Sequence, residues 1–396
     1  MVLDEDILTG NPFHIIKAAA NTLKPLIETE AQLLPFSGGI IAYFSYDSGN
    51  SILNISQQLP NDCQLPTMVA SEYPWAIVQD HQKQKCFFIA HTDCDQQRID
   101  IVFSKLQETS NSYDSPFVIN NLESNTRQTD YYQKIAQIHD YIRAGDCYQV
   151  NLSQCFSSTY QGDPYIAYKQ LRSTMASPFS AFLDIGDQQS ILSLSPERFI
   201  QAQQNTVLMQ PIKGTIARDH NATRDNENAQ TLKSCSKNRA ENLMIVDLLR
   251  NDLGRNCKPG SIKVPALFEL ESFPNVHHLV SSITGEIANG KTPLDVFESC
   301  FPGGSITGAP KIRAMEIIGE LENCQRSIYC GSIVYINNNG NLDSNIAIRT
   351  IACDGKKLYC WGGGGIVADS QASDEYDESL MKIDTILQVL NQFRCE

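Results

Sequence analysis

Short apolar runs with strand character recur along this chain in pairs, and longer stretches with helical spacing fall between them. GGIIAYFSYD (38–47), WAIVQD (75–80) and KCFFIAH (85–91) are three such runs, separated by polar turns. CYQVNLSQCF (147–156), FSAFLDI (179–185), SILSLSPERFI (190–200) and VLMQPIKGT (207–215) follow. Period-two alternation, as at Leu192, Ser193, Leu194 and Ser195, marks a half-buried strand. Helical spacing predicts helices over 11–33, over 131–146 with a stop at Gly145, and over 225–253, ended by Gly254. Another is predicted after the GAP turn, with Pro310 at its first position, and a last one over 372–393, acidic in its first turns. Antiparallel strand pairs alternating with helices argue for an α+β fold. Between about 105 and 129 the chain turns polar, rich in Ser, Asn, Asp and Pro. A boundary placed there separates an N-terminal region, 1–120, from a second domain, 121–396.

Composition narrows the function classes. The 396 residues carry 31 Lys plus Arg against 45 Asp plus Glu, a formal charge of −14. Phosphate backbones and anionic membranes select clustered cations, so neither nucleic acid nor a membrane surface is an expected partner. The start, MVLDEDILTG, is acidic and unlike a secretory signal. No run approaches the ~18 uncharged apolar residues of a membrane span. Thirteen cysteines are scattered with no CxxC pair. Reduced thiols in a cytoplasmic protein are the expectation, and structural zinc is not.

Several residues carry chemistry. Lys213, in MQPIKGT, sits between an apolar strand and a glycine turn. It reads as a snorkelling side chain or as a partly buried amine. An ordinary lysine, with a pKa of about 10.4, is almost wholly protonated near neutral pH, so a nucleophilic one must be depressed by burial or nearby cations. Glu197, in SPERF, lies sixteen residues earlier, and a hairpin through QAQQNT could bring both to one cleft. Glu197 fits either an ion pair with an arginine or a general acid that expels a hydroxyl. Glu375, Glu378 and Lys382 share one helical face. A solvated Glu378–Lys382 pair and a hard cation held by Glu241 and Glu378 are both open. Gly362–Gly365 after Trp361 form either a flexible loop or a nest of N–H groups for an anion. Arg349, in the strand-like IAIRT, offers a carboxylate fork. PGGSITGAPK (302–311) fails as a phosphate loop, since Ala309 and Pro310 stand where Lys and Ser or Thr are needed. His277 and His278 are adjacent, so in a strand they face opposite ways and cannot share a metal. Cys147 reads as a small core residue.

Taken together, these segments resemble the chorismate-utilising enzymes. SPERF, PIKGT, AENLMIVDLLRNDLGR, VHHLVS, FPGGSITGAPK, AIRT, GGGGIVADS and the terminal YDES…K occur in that family's order. The resemblance spans roughly residues 120–390 and is weaker over the N-terminal part. It implies two large antiparallel sheets packed face to face with helices outside. Lys213 stands where anthranilate synthases carry Ala, and Gln149 where isochorismate and salicylate synthases carry a water-activating Lys. A neutral amide cannot serve as a general base. The branch implied is therefore the ammonia-using one that aminates chorismate at C4 on the way to p-aminobenzoate and folate. Anthranilate synthesis is the alternative, as is a weakly active subunit that mainly docks a glutaminase.

Roles carried over by the resemblance are definite. Lys213 attacks C2 and Glu197 is the general acid at the C4 hydroxyl. His278 matches the active-site histidine. Glu241 and Glu378 hold Mg²⁺, which meets chorismate carboxylate oxygens. Tyr335, Arg349 and the Gly363–Gly364 backbone hold a carboxylate, and Gly214, Thr215, Ser305 and Lys382 line the substrate pocket. Relative to the family pattern the N-terminal region is expected to be shortened and to lack the segment that forms a tryptophan-binding pocket. The expected ammonia source is free ammonia or a separate glutamine amidotransferase subunit, rather than a glutaminase domain of this chain.

Overall fold

In the computed structural model, residues 7–24, 34–56, 59–108, 116–273 and 276–395 are described. Among them the strands form two large antiparallel sheets and one separate hairpin. The first sheet runs in the order Ile212–Ala217, Val276–Glu286, Thr206–Met209, Arg198–Gln203, Leu342–Asn345, Ser332–Asn337, Gly39–Phe44, Met68–Tyr73. Lys263–Ser272 lies along the free side of Val276–Glu286. The second runs Gly308–Ala309, Gln149–Gln161, Lys357–Ile366, Thr350–Asp354, Gln189–Ser195, Phe179–Asp184. Trp75–Asp80 and Lys85–Ala90 make the hairpin.

The sheets pack face to face because each offers an apolar inner face. Ile40, Phe44, Ala202, Val207 and Ile333 of the first share one core with Cys155, Ile191, Ala352 and Trp361 of the second. Burying side chains of this size contributes about 1.5–3 kcal/mol each, which is why neither sheet is left bare. Helices cover the outer face of the second sheet. Pro164–Thr174 and Asp384–Asn391 pack on Leu192, Leu194, Ile351 and Leu358. Gln128–Ala144 and Lys311–Leu321 pack on Val150, Leu152 and Ile366. With both faces covered, Ser190–Ser195 is buried at every position, so its polar–apolar alternation marks hydroxyls that Ser193 and Ser195 bond inside the protein rather than a wet face. Ser193 Oγ lies 2.9 Å from Thr350 Oγ1, for example.

Strands from both sides of residue 120 share the first sheet and its core. Gly39–Phe44 is paired to Ser332–Asn337, and Phe13 stacks on Phe44 at 4.6 Å and meets Phe301 at 5.5 Å. The polar stretch 105–129 is not all loop. Helix Gln96–Gln107 enters it, and Val118–Ile119 and Glu123–Ser124 pair with Gln149–Gln161. Residues 109–115 lie outside the described residues.

Three predicted helices differ in extent. The N-terminal one is Pro12–Ala20, capped by the Asn11 side chain, and 25–33 lie outside the described residues. The pattern over 225–253 is two helices, Ala222–Ser234 and Ser236–Gly254, because Cys235 takes an extended conformation. The terminal pattern is Ala372–Met381 and Asp384–Asn391, broken at Lys382 and Ile383. Gly145 does cap its helix, in the left-handed conformation at φ 83°. Pro310 stands one position before its helix rather than inside it. No helix of the described residues is long and apolar enough to cross a membrane. All thirteen cysteines are free thiols.

Candidate active site

The chain crosses between the sheets at two neighbouring corners, and the site forms beside them. At the first, Gln189–Ser195 leaves the second sheet, and Arg198–Gln203 enters the first. Glu197 is buried in that corner. Its backbone N–H donates to Ser195 Oγ at 3.2 Å and its carbonyl accepts from Ile346 N at 3.1 Å. The second corner lies between Leu342–Asn345 and Thr350–Asp354 and holds Arg349. Arg349 is therefore not a strand residue. Its φ of 50° is left-handed, a strain of about 1–3 kcal/mol for a side chain other than glycine.

Lys213 reaches the same place from strand Ile212–Ala217. Its Nζ donates to the Ser305 carbonyl at 3.2 Å, and Ser305 Oγ donates to Glu197 Oε1 at 3.0 Å. One loop residue thus holds both side chains. Burial pushes the Lys213 ammonium below its ordinary value, although Glu197 and Glu241 pull it back up. Burial pushes the Glu197 carboxyl up, against Lys213 and the Ser305 hydroxyl. Both shifts favour the neutral forms, an amine that can attack and an acid that can donate. Gly214, at φ 85°, lets the strand turn beside Lys213, and a Cβ there would meet Asn238 Nδ2 at 2.7 Å.

The carboxylates stand across from this pair. Burial raises Glu241, helped by Glu378 and Glu375, and no hydrogen bond or ion pair reaches its side chain from the described residues. Burial also acts on Glu378, but Lys382 at 2.8 Å outweighs it and holds that carboxyl below its ordinary value. Lys382 Nζ donates in addition to the Gly363 carbonyl at 3.0 Å. Glu375, buried, accepts from Ser370 Oγ at 2.6 Å and pairs with Lys237 at 3.4 Å.

Gly362–Gly365 are neither a loop nor a nest. They continue strand Lys357–Ile366, paired residue by residue with Gln154, Ser153, Leu152 and Asn151. Their missing side chains make room. A Cβ on Gly362 would strike Ser379 O at 2.3 Å, and one on Gly363 would strike Leu152 O at 2.5 Å. At Gly364 a Cβ would instead sit among charges, 3.4 Å from Glu375 Oε2, 3.5 Å from Lys382 Nζ and 3.8 Å from Glu378 Oε1. That cradle, with the unpartnered Glu241 carboxylate, fits a hard cation bound by oxygen. No group of three or more His, Cys, Asp or Glu stands in ligand geometry among the described residues, so the remaining ligands would be water or substrate oxygens.

A second cluster adjoins the first. Thr215 Oγ1 lies 2.8 Å from His278 Nδ1, its cross-strand neighbour. Burial, with Arg349 and His277 nearby, lowers His278 to about 4, so its imidazole is neutral near pH 7. His277 points the other way, to Ser272 and Asp225. Burial lowers the Arg349 guanidinium, and no side-chain partner occupies it among the described residues. Tyr335 meets Phe36 edge-on at 5.6 Å, and burial, with Asp343 nearby, pushes its phenol up. Cys147 is buried and its thiol is raised by burial, so it is no nucleophile.

Sequence reasoning missed the support behind Ser305. Arg326, 1% exposed, donates to Ile306 O at 3.0 Å, to Asn151 O at 2.8 Å and twice to Glu322. Glu322 Oε1 also accepts from Ser153 N and Oγ at 2.8 and 2.7 Å. The pair ties the Ser305 loop to strand Gln149–Gln161. Lys237 and Ser370 were missed as well, although Lys237 stands four residues before Glu241, hence on its helical face.

A family model described as chorismate binding enzyme matches residues 5–388. Aminodeoxychorismate synthase component 1 of Salmonella typhimurium is 44% identical over 385 residues, 97% of this chain and 83% of the relative. Anthranilate synthase component 1 of Mycolicibacterium smegmatis is 33% identical, covering 96% of this chain and 76% of the relative. The crystal structure of anthranilate synthase component I from Streptococcus pneumoniae TIGR4 superposes with a TM-score of 0.85 at 31% identity, over 98% of this chain and 86% of that one. The chain belongs to the chorismate binding enzymes.

Proposed function

We propose that the chain catalyses the reaction of an aminodeoxychorismate synthase component I: chorismate and ammonia give 4-amino-4-deoxychorismate and water, toward p-aminobenzoate and folate. One contact set carries the assignment. Ser305 joins a buried amine, Lys213, to a buried acid, Glu197, through bonds of 3.2 and 3.0 Å. The 44% identity to relatives of that name, against 33% to an anthranilate synthase, supports this branch.

The residues divide the work. Lys213 Nζ forms a bond to C2 while the ring double bond shifts and the C4–O bond breaks. Glu197 gives its proton to the departing hydroxyl, which leaves as water. Ammonia then bonds to C4, the double bond returns and the C2–Nζ bond breaks. Glu197, now a carboxylate, takes up the proton that the new amine sheds. Arg349 holds one carboxylate of the substrate, and the neutral His278, fixed by Thr215, lines the pocket as a hydrogen-bonding group. Mg²⁺ at Glu241 and Glu378 would supply the positive charge that another carboxylate of a dianionic substrate needs in an acidic protein. The enolpyruvyl group stays on the product. Ammonia comes from a separate glutamine amidotransferase subunit.

The test is incubation of the purified chain with chorismate, Mg²⁺ and ammonium, with products read by mass spectrometry. Aminodeoxychorismate without pyruvate is expected, falling by at least about a thousandfold in Lys213→Ala. Anthranilate with pyruvate, or unchanged turnover in the variant, would overturn the assignment.

A further inference from the structure

Glu375, Glu378 and Lys382 face Gly364, and the charges of Glu241, Lys213 and Lys237 act on the same cluster. With Lys213 unprotonated for attack, two cations face three anions. Lys382 is tied twice, to Glu378 and to the Gly363 carbonyl. Lys237 is tied once, at 3.4 Å, and its side chain is 45% exposed at the rim. Its partner Glu375 is 3% exposed and points its other oxygen, Oε2, into the cradle over Gly364.

We propose that Lys237 is a built-in counter-ion of the cation site: it neutralises Glu375, so weakening the hold on the divalent cation while favouring the dianionic substrate. The inference rests on the cation site assigned above to Glu241 and Glu378. Lys237 stands one helical turn from Glu241 and shares its face, so its charge acts on the whole cluster. Removing it leaves Glu375 as an uncompensated carboxylate beside the ion, which strengthens attraction for a divalent cation. The same removal takes one positive charge from the surroundings of chorismate. Cation affinity and substrate affinity must therefore move in opposite directions. A side chain serving only to brace the helix would move both the same way or neither.

Binding of Mn²⁺, which accepts the same oxygen ligands, can be followed without substrate by the paramagnetic resonance signal of the free ion. Lys237→Met should bind Mn²⁺ about tenfold tighter than the wild type. Its KM for chorismate at saturating Mg²⁺ should rise severalfold, and Lys237→Arg should restore both values. Unchanged or weaker Mn²⁺ binding in Lys237→Met, while Glu241→Gln abolishes binding, would overturn the counter-ion role alone. Full Mn²⁺ binding in Glu241→Gln would overturn the cation site and the counter-ion with it.

Discussion

Adding one methyl at Gly364 should raise stability and remove activity, whereas the same change one residue earlier should lower stability. Gly364 has no left-handed φ, and its new Cβ would lie 3.4–3.8 Å from Glu375, Lys382 and Glu378, ordinary contact distances. Alanine at a compatible backbone position stabilises by about 0.4–1 kcal/mol, chiefly by restricting the unfolded chain. The methyl nevertheless fills the cradle where cation and substrate oxygens would sit. A displacement of about 1 Å at reacting groups costs on the order of a hundredfold in rate. At Gly363 the Cβ would stand 2.5 Å from the Leu152 carbonyl, a backbone atom of the neighbouring strand that cannot turn aside. Overpacking of that kind costs about 1–3 kcal/mol. Urea unfolding gives the stabilities, and amination with free ammonium gives the rates. Gly364→Ala working within about threefold of wild type would refute the cradle as the reaction site. A loss of more than about 1 kcal/mol in that variant would refute the claim that the space is open.

The remaining predictions concern the buried charges. Attack needs Lys213 unprotonated, so kcat/KM should rise with pH toward its lowered pKa. Departure of the hydroxyl needs Glu197 protonated, so the rate should fall as that raised carboxyl ionises. The two limbs should enclose a bell lying inside the interval between the ordinary values of 4.5 and 10.5, and Glu197→Gln should abolish the falling limb. A profile flat between pH 5 and 10 in the wild type, over that interval of about five units, would sink the raised Glu197 and the lowered Lys213 on which the bell rests. Arg326→Met leaves Glu322 buried without its counter-charge and should destabilise by about 3–5 kcal/mol in urea, partly recovered by adding Glu322→Gln. A cost below about 1 kcal/mol would show that the pair is not the tie it resembles.

Much of the fold was legible because its signals are local. Short apolar runs between polar turns gave Gly39–Phe44 and the hairpin of Trp75–Asp80 with Lys85–Ala90, and period-two alternation gave Gln189–Ser195. The hairpin after Glu197 was visible too, with its turn at Gln204 and Asn205, but Lys213 lies beyond it, on Ile212–Ala217, a separate strand that pairs with Val276–Glu286. Breaks such as Cys235 were not, because the helical period runs across them and only tertiary packing fixes the bend. The glycine strand was misread for a different reason. A strand without side chains has no alternation, and its only signature is the closeness of its neighbours. In the site, Lys213, Glu197, Ser305, Glu241 and Glu378 came from motif resemblance, while Arg326 and Glu322 act through contacts made far along the chain.

The pairing of Gly39–Phe44 with Ser332–Asn337 has a bearing on biosynthesis. A strand made early must wait for a partner synthesised nearly three hundred positions later. Until then it is an open edge with an apolar face, the form of nascent chain most prone to pair wrongly. The site is delayed further, because Lys213 and Glu197 emerge long before Glu378, on one of the last helices. A chain stalled before that helix therefore carries Lys213 and Glu197 without Glu378.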